Sequence, residues 1–152
     1  RDFTSYENGQ FDVTVSALSA KDLPVLDLTQ ALQDHKTDRL LAYELYDEEN
    51  RLISSSSLLF CKPKHFALAK PDIAVDITGA AGQFMLQISA STYVKSLEID
   101  FEHYDARLSD NYFDITSSDS VYLYLTAEDT NLTAEQLLAD LHLQSVYDIG
   151  RK

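Results

Sequence analysis

Apolar and polar residues alternate in short bursts along most of this chain. Phe11, Val13 and Val15 alternate with Asp12 and Thr14, and Leu41, Tyr43 and Leu45 with Ala42, Glu44 and Tyr46. The same period recurs at Ile73, Val75 and Ile77, at Phe84, Leu86 and Ile88, at Leu97, Ile99 and Phe101, and at Val121, Leu123 and Leu125. A period of two with the apolar residues on one side predicts half-buried strands, because successive side chains of a strand point to opposite faces. Turn-forming residues separate the runs. Asp47-Glu48-Glu49-Asn50 leads to Leu52-Ile53 and predicts a hairpin, whose second arm Ser54–Ser57 and Leu58-Leu59-Phe60 would extend. Gly79 to Gly82 joins the next pair. About eight short strands with almost no helix between them predict an all-β chain, an antiparallel β-sandwich.

Two segments depart from the alternation. Thr133-Ala134-Glu135-Gln136 is a capping box, followed by Leu137, Leu138 and Leu141 at helical spacing, so a short helix is expected over residues 133–140. So short a helix is marginal alone and must lay its apolar stripe on the sandwich. Leu26 to Leu32 reads equally as a helical turn or as a strand with an apolar bulge. Leu141, Leu143 and Val146 suggest a last extended segment.

Between the runs at Leu97 and Val121 stands Ser109-Asp110-Asn111-Tyr112-Phe113-Asp114. Ser, Asp and Asn suit a connection between strands because their side chains bond the turning backbone. The segment "LSDNYFDI" resembles the "FSDNYFDL" signature of bacterial and animal β-mannosidases of glycoside hydrolase family 2, where it lies in the last immunoglobulin-like sandwich. Cys61-Lys62-Pro63-Lys64-His65 is similar to that family's linker, and Lys70-Pro71-Asp72-Ile73 to the start of its last domain. Leu141 to Ile149 is similar to the closing segment of some bacterial members. The likeness covers residues 60–149 well and 1–60 more loosely. It departs after the motif, where the family's "LPGE" turn is replaced by Thr116-Ser117-Ser118-Asp119. The family's catalytic barrel and its two glutamates have no counterpart here, and a barrel of that type needs on the order of 250 residues.

The resemblance implies an immunoglobulin-like sandwich in two parts. Residues 1–62 would be the trailing strands of a preceding sandwich domain with its first strands missing, and 63–152 the C-terminal domain with its terminal helix. A boundary is expected in residues 61–72, where two prolines and three lysines interrupt the strands. The alternative, that all the strands close one sandwich, stays open. Beginning at Arg1, the chain reads as a segment cut from something longer.

Composition narrows the partners. The 152 residues carry 12 Lys and Arg against 25 Asp and Glu, a net charge of -13, with 45% apolar residues. That apolar share is ample for a core, and so acidic a chain offers no basic cluster for nucleic acid or an anionic membrane. No run approaches the eighteen or so apolar residues of a membrane-spanning helix, and the first residues lack a signal-peptide pattern. The single cysteine, Cys61, leaves no internal disulfide and is compatible with a reducing compartment; a cytoplasmic bacterial location is expected.

Candidate chemistry is sparse. Glu98, Asp100 and Glu102 share one strand face, roughly 7 Å between neighbours, a spacing within the range of glycosidase carboxylate pairs. A solvated strand face has the same appearance, and nothing apolar beside them would raise a pKa. His35, His65, His103 and His142 are scattered, and Asp105 to Asp110 lacks the ligand rhythm of a calcium loop, so no metal or cofactor is expected. Cys61 beside Lys62 reads as a half-buried strand-end residue, and Asn131-Leu132-Thr133 as a loop leading into the Thr133 cap rather than a glycosylation acceptor. Gly79-Ala80-Ala81-Gly82 lies between strands, not before a helix, and makes no phosphate loop. The chain has 9 Tyr and no Trp, and Tyr104, Tyr112, Tyr122 and Tyr124 lie in or beside the motif region. Exposed tyrosines make sugar platforms or cross-strand partners; Tyr104 and Tyr112 are the candidate sugar contacts.

The resemblance implies a non-catalytic C-terminal accessory domain of a β-mannosidase, and nothing in the composition or candidate chemistry speaks against it. In it Ser109 to Asp114 fix a loop, with Asp110 and Asn111 bonding backbone and Phe113 anchoring the strand. Expected partners are the remaining domains of the parent, with mannosides or a second copy as further candidates. A carbohydrate-binding module and a small hydrolase using Glu98 or Glu102 are the rivals.

Overall fold

The computed structural model describes residues 3–149. Its core is built by seven strands in two facing sheets. The first sheet runs β3-β4-β8-β6, with β3 at Ile73–Ala80, β4 at Gln83–Ala90, β6 at Ala106–Leu108 and β8 at Val121–Ala127. The second runs β7-β5-β9, with β5 at Val94–Phe101, β7 at Phe113–Ile115 and β9 at Leu141–Gln144. All their pairings are antiparallel. The alternation in the sequence is what packs them. Phe84, Leu86 and Ile88 of β4 and Leu123 and Leu125 of β8 point inward and meet Val94, Leu97, Ile99 and Ile115 of the second sheet in one buried cluster. Their polar neighbours face water. The four-plus-three division is that of an immunoglobulin-type sandwich.

Two short devices shape the ends. Ala81 and Gly82, both at positive φ, form the two-residue turn between β3 and β4, whose handedness matches strand twist. A side chain at Gly82 would meet the Ala127 carbonyl, 2.5 Å from an ideal Cβ, so only glycine fits there. Helix α2, Ala134–Asp140, is capped as its sequence predicts: Thr133 Oγ1 accepts from the Gln136 amide at 3.2 Å, and Gln136 Oε1 accepts from the Thr133 amide at 2.9 Å. Leu137 is fully buried and fixes the helix to the core beside β3. After β9 the chain does not stay extended. Val146–Ile149 form a last helical turn, α3, because the Asp148 carboxylate bonds the amide and hydroxyl of Ser145 and closes it.

The leading part is different. Helix α1 is one turn, Thr29–Leu32, which resolves the Leu26–Leu32 ambiguity toward helix. β1, Leu40–Tyr46, pairs with β2, Leu52–Leu59, as an antiparallel hairpin. Asp47 closes its turn, accepting from the amides of Glu49 and Arg51 and from Arg51 Nε at 2.6 Å. Residues 61–72 connect this part to the sandwich through a 3₁₀ turn at Pro63–His65. The strand expected over Phe11–Val15 is not found; residues 3–28 hold no regular element. Alternation yields a strand only where a neighbour takes up its backbone groups, and no strand lies alongside among the described residues. Phe3 does pack against the main core. No helix among the described residues is long and apolar enough to cross a membrane.

Candidate functional site: the crossover between the two sheets

The Ser109–Asp114 motif is where the chain leaves one sheet for the other. β6 ends at Leu108, paired with Leu125 of β8, and Ser109 continues that register by one residue in an unusual way. Its amide donates to the Tyr124 carbonyl at 2.8 Å, but the returning bond, from the Tyr124 amide, goes to the Ser109 hydroxyl at 3.0 Å. The hydroxyl takes the place of a ladder carbonyl, and the backbone is free to turn away.

Asn111 does the same for the second sheet. β5 and β7 pair Leu97 with Phe113, and continuing that register by two residues sets Asn111 opposite Ile99. The Asn111 side chain fills this place: Oδ1 accepts from the Ile99 amide at 2.9 Å and Nδ2 donates to the Ile99 carbonyl at 2.9 Å. An amide side chain has one acceptor and one donor face, so it mimics a strand residue at a buried ladder position. Oδ1 also accepts from the Tyr112 amide at 3.0 Å, and Asp110 Oδ1 accepts from the Asn111 amide at 2.8 Å. This bonding holds Tyr112 at φ 61°. Phe113 then packs half-buried against the core as β7 begins.

Asp114 closes the motif with its side chain only 8% exposed. It stands opposite a bulge in β5, where three steps from Val94 to Leu97 face two from Ile115 to Phe113 and Ser96 is at φ 51°. Asp114 Oδ1 accepts from the Ser96 amide at 2.9 Å, supplying the bond that the bulge removes from the ladder. Oδ2 accepts from Lys95 Nζ at 2.8 Å and from the Ser57 hydroxyl of β2 at 2.5 Å. The segment after the motif turns through Ser117 Oγ, which accepts from the Asp119 amide at 3.2 Å.

The candidate sugar contacts separate. Tyr112 is 62% exposed and donates to Glu98 Oε1 at 2.8 Å; that carboxylate holds its phenol pKa above the ordinary value. Tyr104 is half-buried and packs against the core. An open cleft of about 930 Å³ lies between the hairpin and the sandwich, lined by the motif and by Glu44, Tyr46, Ser55, Tyr122 and Asp119 among others. The acidic strand face stands elsewhere. Glu98 and Asp100 of β5 and Glu102 just after it lie outside the lining of that cleft, with Asp100 and Glu102 exposed and Glu102 near His142 Nε2 at 3.3 Å. Beside them His103 Nδ1 meets Asp140 Oδ1 at 2.6 Å while its amide donates to the other carboxylate oxygen. The hydrogen bond and charge of Asp140, then the charge of Glu102, raise the His103 pKa. Sequence reasoning missed the Asp114 cluster, since Ser57 lies 57 residues away along the chain. It also missed β6, too short to show a period.

An antiparallel sandwich of four and three strands, crossed by this motif, defines an immunoglobulin-like class of domain. Comparison with known proteins places it further. An Ig-fold domain model of mannosidases matches residues 68–149, and a mannosidase Ig/CBM-like domain model matches residues 2–65. The chain belongs to the Ig-fold domain family of mannosidases. It is similar in fold to a β-D-mannosidase from Dictyoglomus thermophilum, with a TM-score of 0.61, 18% identity and 73% of this chain covered. The matched region spans only 13% of that enzyme. No curated relative matches the chain.

Proposed function

We propose that this chain is the C-terminal accessory portion of a β-mannosidase of glycoside hydrolase family 2, acting in carbohydrate metabolism in a bacterial cytoplasm. Its parent would hydrolyse terminal β-linked mannosides on a barrel outside this chain. The work of the sandwich is structural: it packs against the remaining domains and stabilises them. One observation carries the reading. Two mannosidase domain models match in tandem over residues 2–65 and 68–149, and within the second the motif that resembles the family signature is spent on hydrogen bonds to neighbouring strands.

The test uses the complete polypeptide. Asn111→Ala is expected to shorten the half-life of β-mannosidase activity on heating several-fold while leaving kcat/KM at low temperature within about twofold. A kcat/KM loss of a hundredfold, with the half-life unchanged, would put the motif in the chemistry and reject the scaffold role. The exposed rings of Tyr112, Tyr122 and Tyr46 at the cleft favour a second reading, a carbohydrate-binding module. Titrating mannose and short manno-oligosaccharides onto the 152-residue chain separates the two; the scaffold reading expects no shift of amide resonances around Tyr112.

A further inference from the structure

The carboxylate that ends the motif has more donors than its own strand pairing needs. Its bonds to the Ser96 amide and to Lys95 stay within the sandwich, but the third donor, Ser57, comes from β2 of the leading hairpin. Ser57 Oγ also lies 2.7 Å from the Tyr93 hydroxyl. A serine hydroxyl has a single hydrogen, and here it goes to Asp114, so Tyr93 is the donor of the second bond. The result is a relay, Tyr93 to Ser57 to Asp114, with its direction fixed by the charge at its end. Burial, the main cause, pushes the Tyr93 phenol well above its ordinary pKa and keeps it a donor.

The Tyr93 end of the relay is shielded from water. Tyr93 is 6% exposed, and Phe66, from the segment that joins the two parts, meets it edge-on with centroids 6.0 Å apart. The Ala67 amide donates to the Thr37 carbonyl at 2.7 Å, which ties the segment to the leading part as well. Ser57 therefore enters a partly dry, charged site that is otherwise complete within the sandwich. In such a site a hydrogen bond to an ion is stronger than at a wet surface. Apolar cover alone would let the hairpin slide; a single hydroxyl aimed at a buried carboxylate fixes its place.

We propose that Asp114 is a domain fastener: through Ser57 it clamps the Ig/CBM-like part, residues 2–65, onto the Ig-fold part, residues 68–149. The motif's last residue thereby serves an interface between domains as well as a bulge within one. This does not depend on which sugar the parent enzyme cleaves.

Native-state trypsin cleavage of the 152-residue chain reads the clamp. Lys62 and Lys70 each precede proline, so Lys64–His65 is the bond trypsin attacks in the connection, while Arg107 in β6 reports on the sandwich itself. Ser57→Ala is expected to raise the cleavage rate at Lys64 about tenfold, as loss of a hydrogen bond to a charged group does when opening precedes cleavage, and to leave Arg107 unchanged. Ser57→Thr keeps the hydroxyl and should cut at the original rate. Asp114→Asn removes the bulge bond too, and both sites should speed up. An unchanged Lys64 rate in Ser57→Ala overturns the proposal. So does a matching rise at Arg107, or a Ser57→Thr rate as fast as that of Ser57→Ala. Should Ser57→Ala fail to fold, Tyr93→Phe, which shortens the relay, must still raise the Lys64 rate about threefold, and no change would overturn the clamp.

Discussion

Asn111 and Ser109 each place a side chain where a ladder would otherwise use backbone, and that substitution lets the chain change sheets without orphaning buried groups. Ile99 is 3% exposed, so Asn111→Ala strips both its amide and its carbonyl of partners in a place water does not reach. Two unsatisfied buried groups cost about 3 kcal/mol together, and urea unfolding of the variant chain should show that loss in ΔG. A change below about 0.5 kcal/mol would mean that water or a shifted backbone replaces the side chain. His103 gives a second prediction. Its folded pKa is raised above 6.5 by Asp140 and Glu102, so its share of stability is fully present below pH 6.5 and is lost as pH rises through the folded value. The melting temperature should therefore fall across that window, and His103→Gln should flatten that part of the profile. Parallel profiles would remove the pair from the account. Of these roles the sequence showed only the kind: Asp and Asn before a strand signal backbone bonding. It did not show the address, because Ile99 lies twelve residues from Asn111 and Ser57 is in another part of the chain.

At the level of elements, local rules wrote most of the structure. Five of the six alternating runs became strands because each had a neighbour to receive its backbone bonds, and the capping box became the start of α2. Thr133→Ala should cost about 1 kcal/mol, the usual worth of such a cap. Circular dichroism melts would register it, and no change would mean that Leu137 alone holds the helix. Phe11–Val15 shows the converse: the same alternation with no strand beside it gives no element. β6 was illegible because three residues are too few to display a period, and β7, equally short, showed only through its anchoring Phe113; pairing with β8 and β5 defines them. The bulge at Ser96 was hidden likewise, since its only mark is a carboxylate on the opposing strand.

Across the molecule, burial divides the chain unequally. Every fully buried apolar residue lies at Phe66 or beyond among the described residues, while Tyr43, Leu45, Leu52, Ile53 and Leu58 of the hairpin remain about half exposed. A two-stranded hairpin cannot bury a core by itself, and Ser57 ties it to the sandwich through Asp114 and Tyr93. That division suits a module held among other domains. We propose that such a module scaffolds a mannoside-cleaving enzyme and carries out no cleavage itself. Hydrolysis of a chromogenic β-mannoside tests it most directly, assayed side by side on the 152-residue chain and on the complete polypeptide. The account expects turnover from the complete polypeptide and none above background from the chain. Turnover by the chain, abolished by Glu98→Gln or Glu102→Gln, would contradict it.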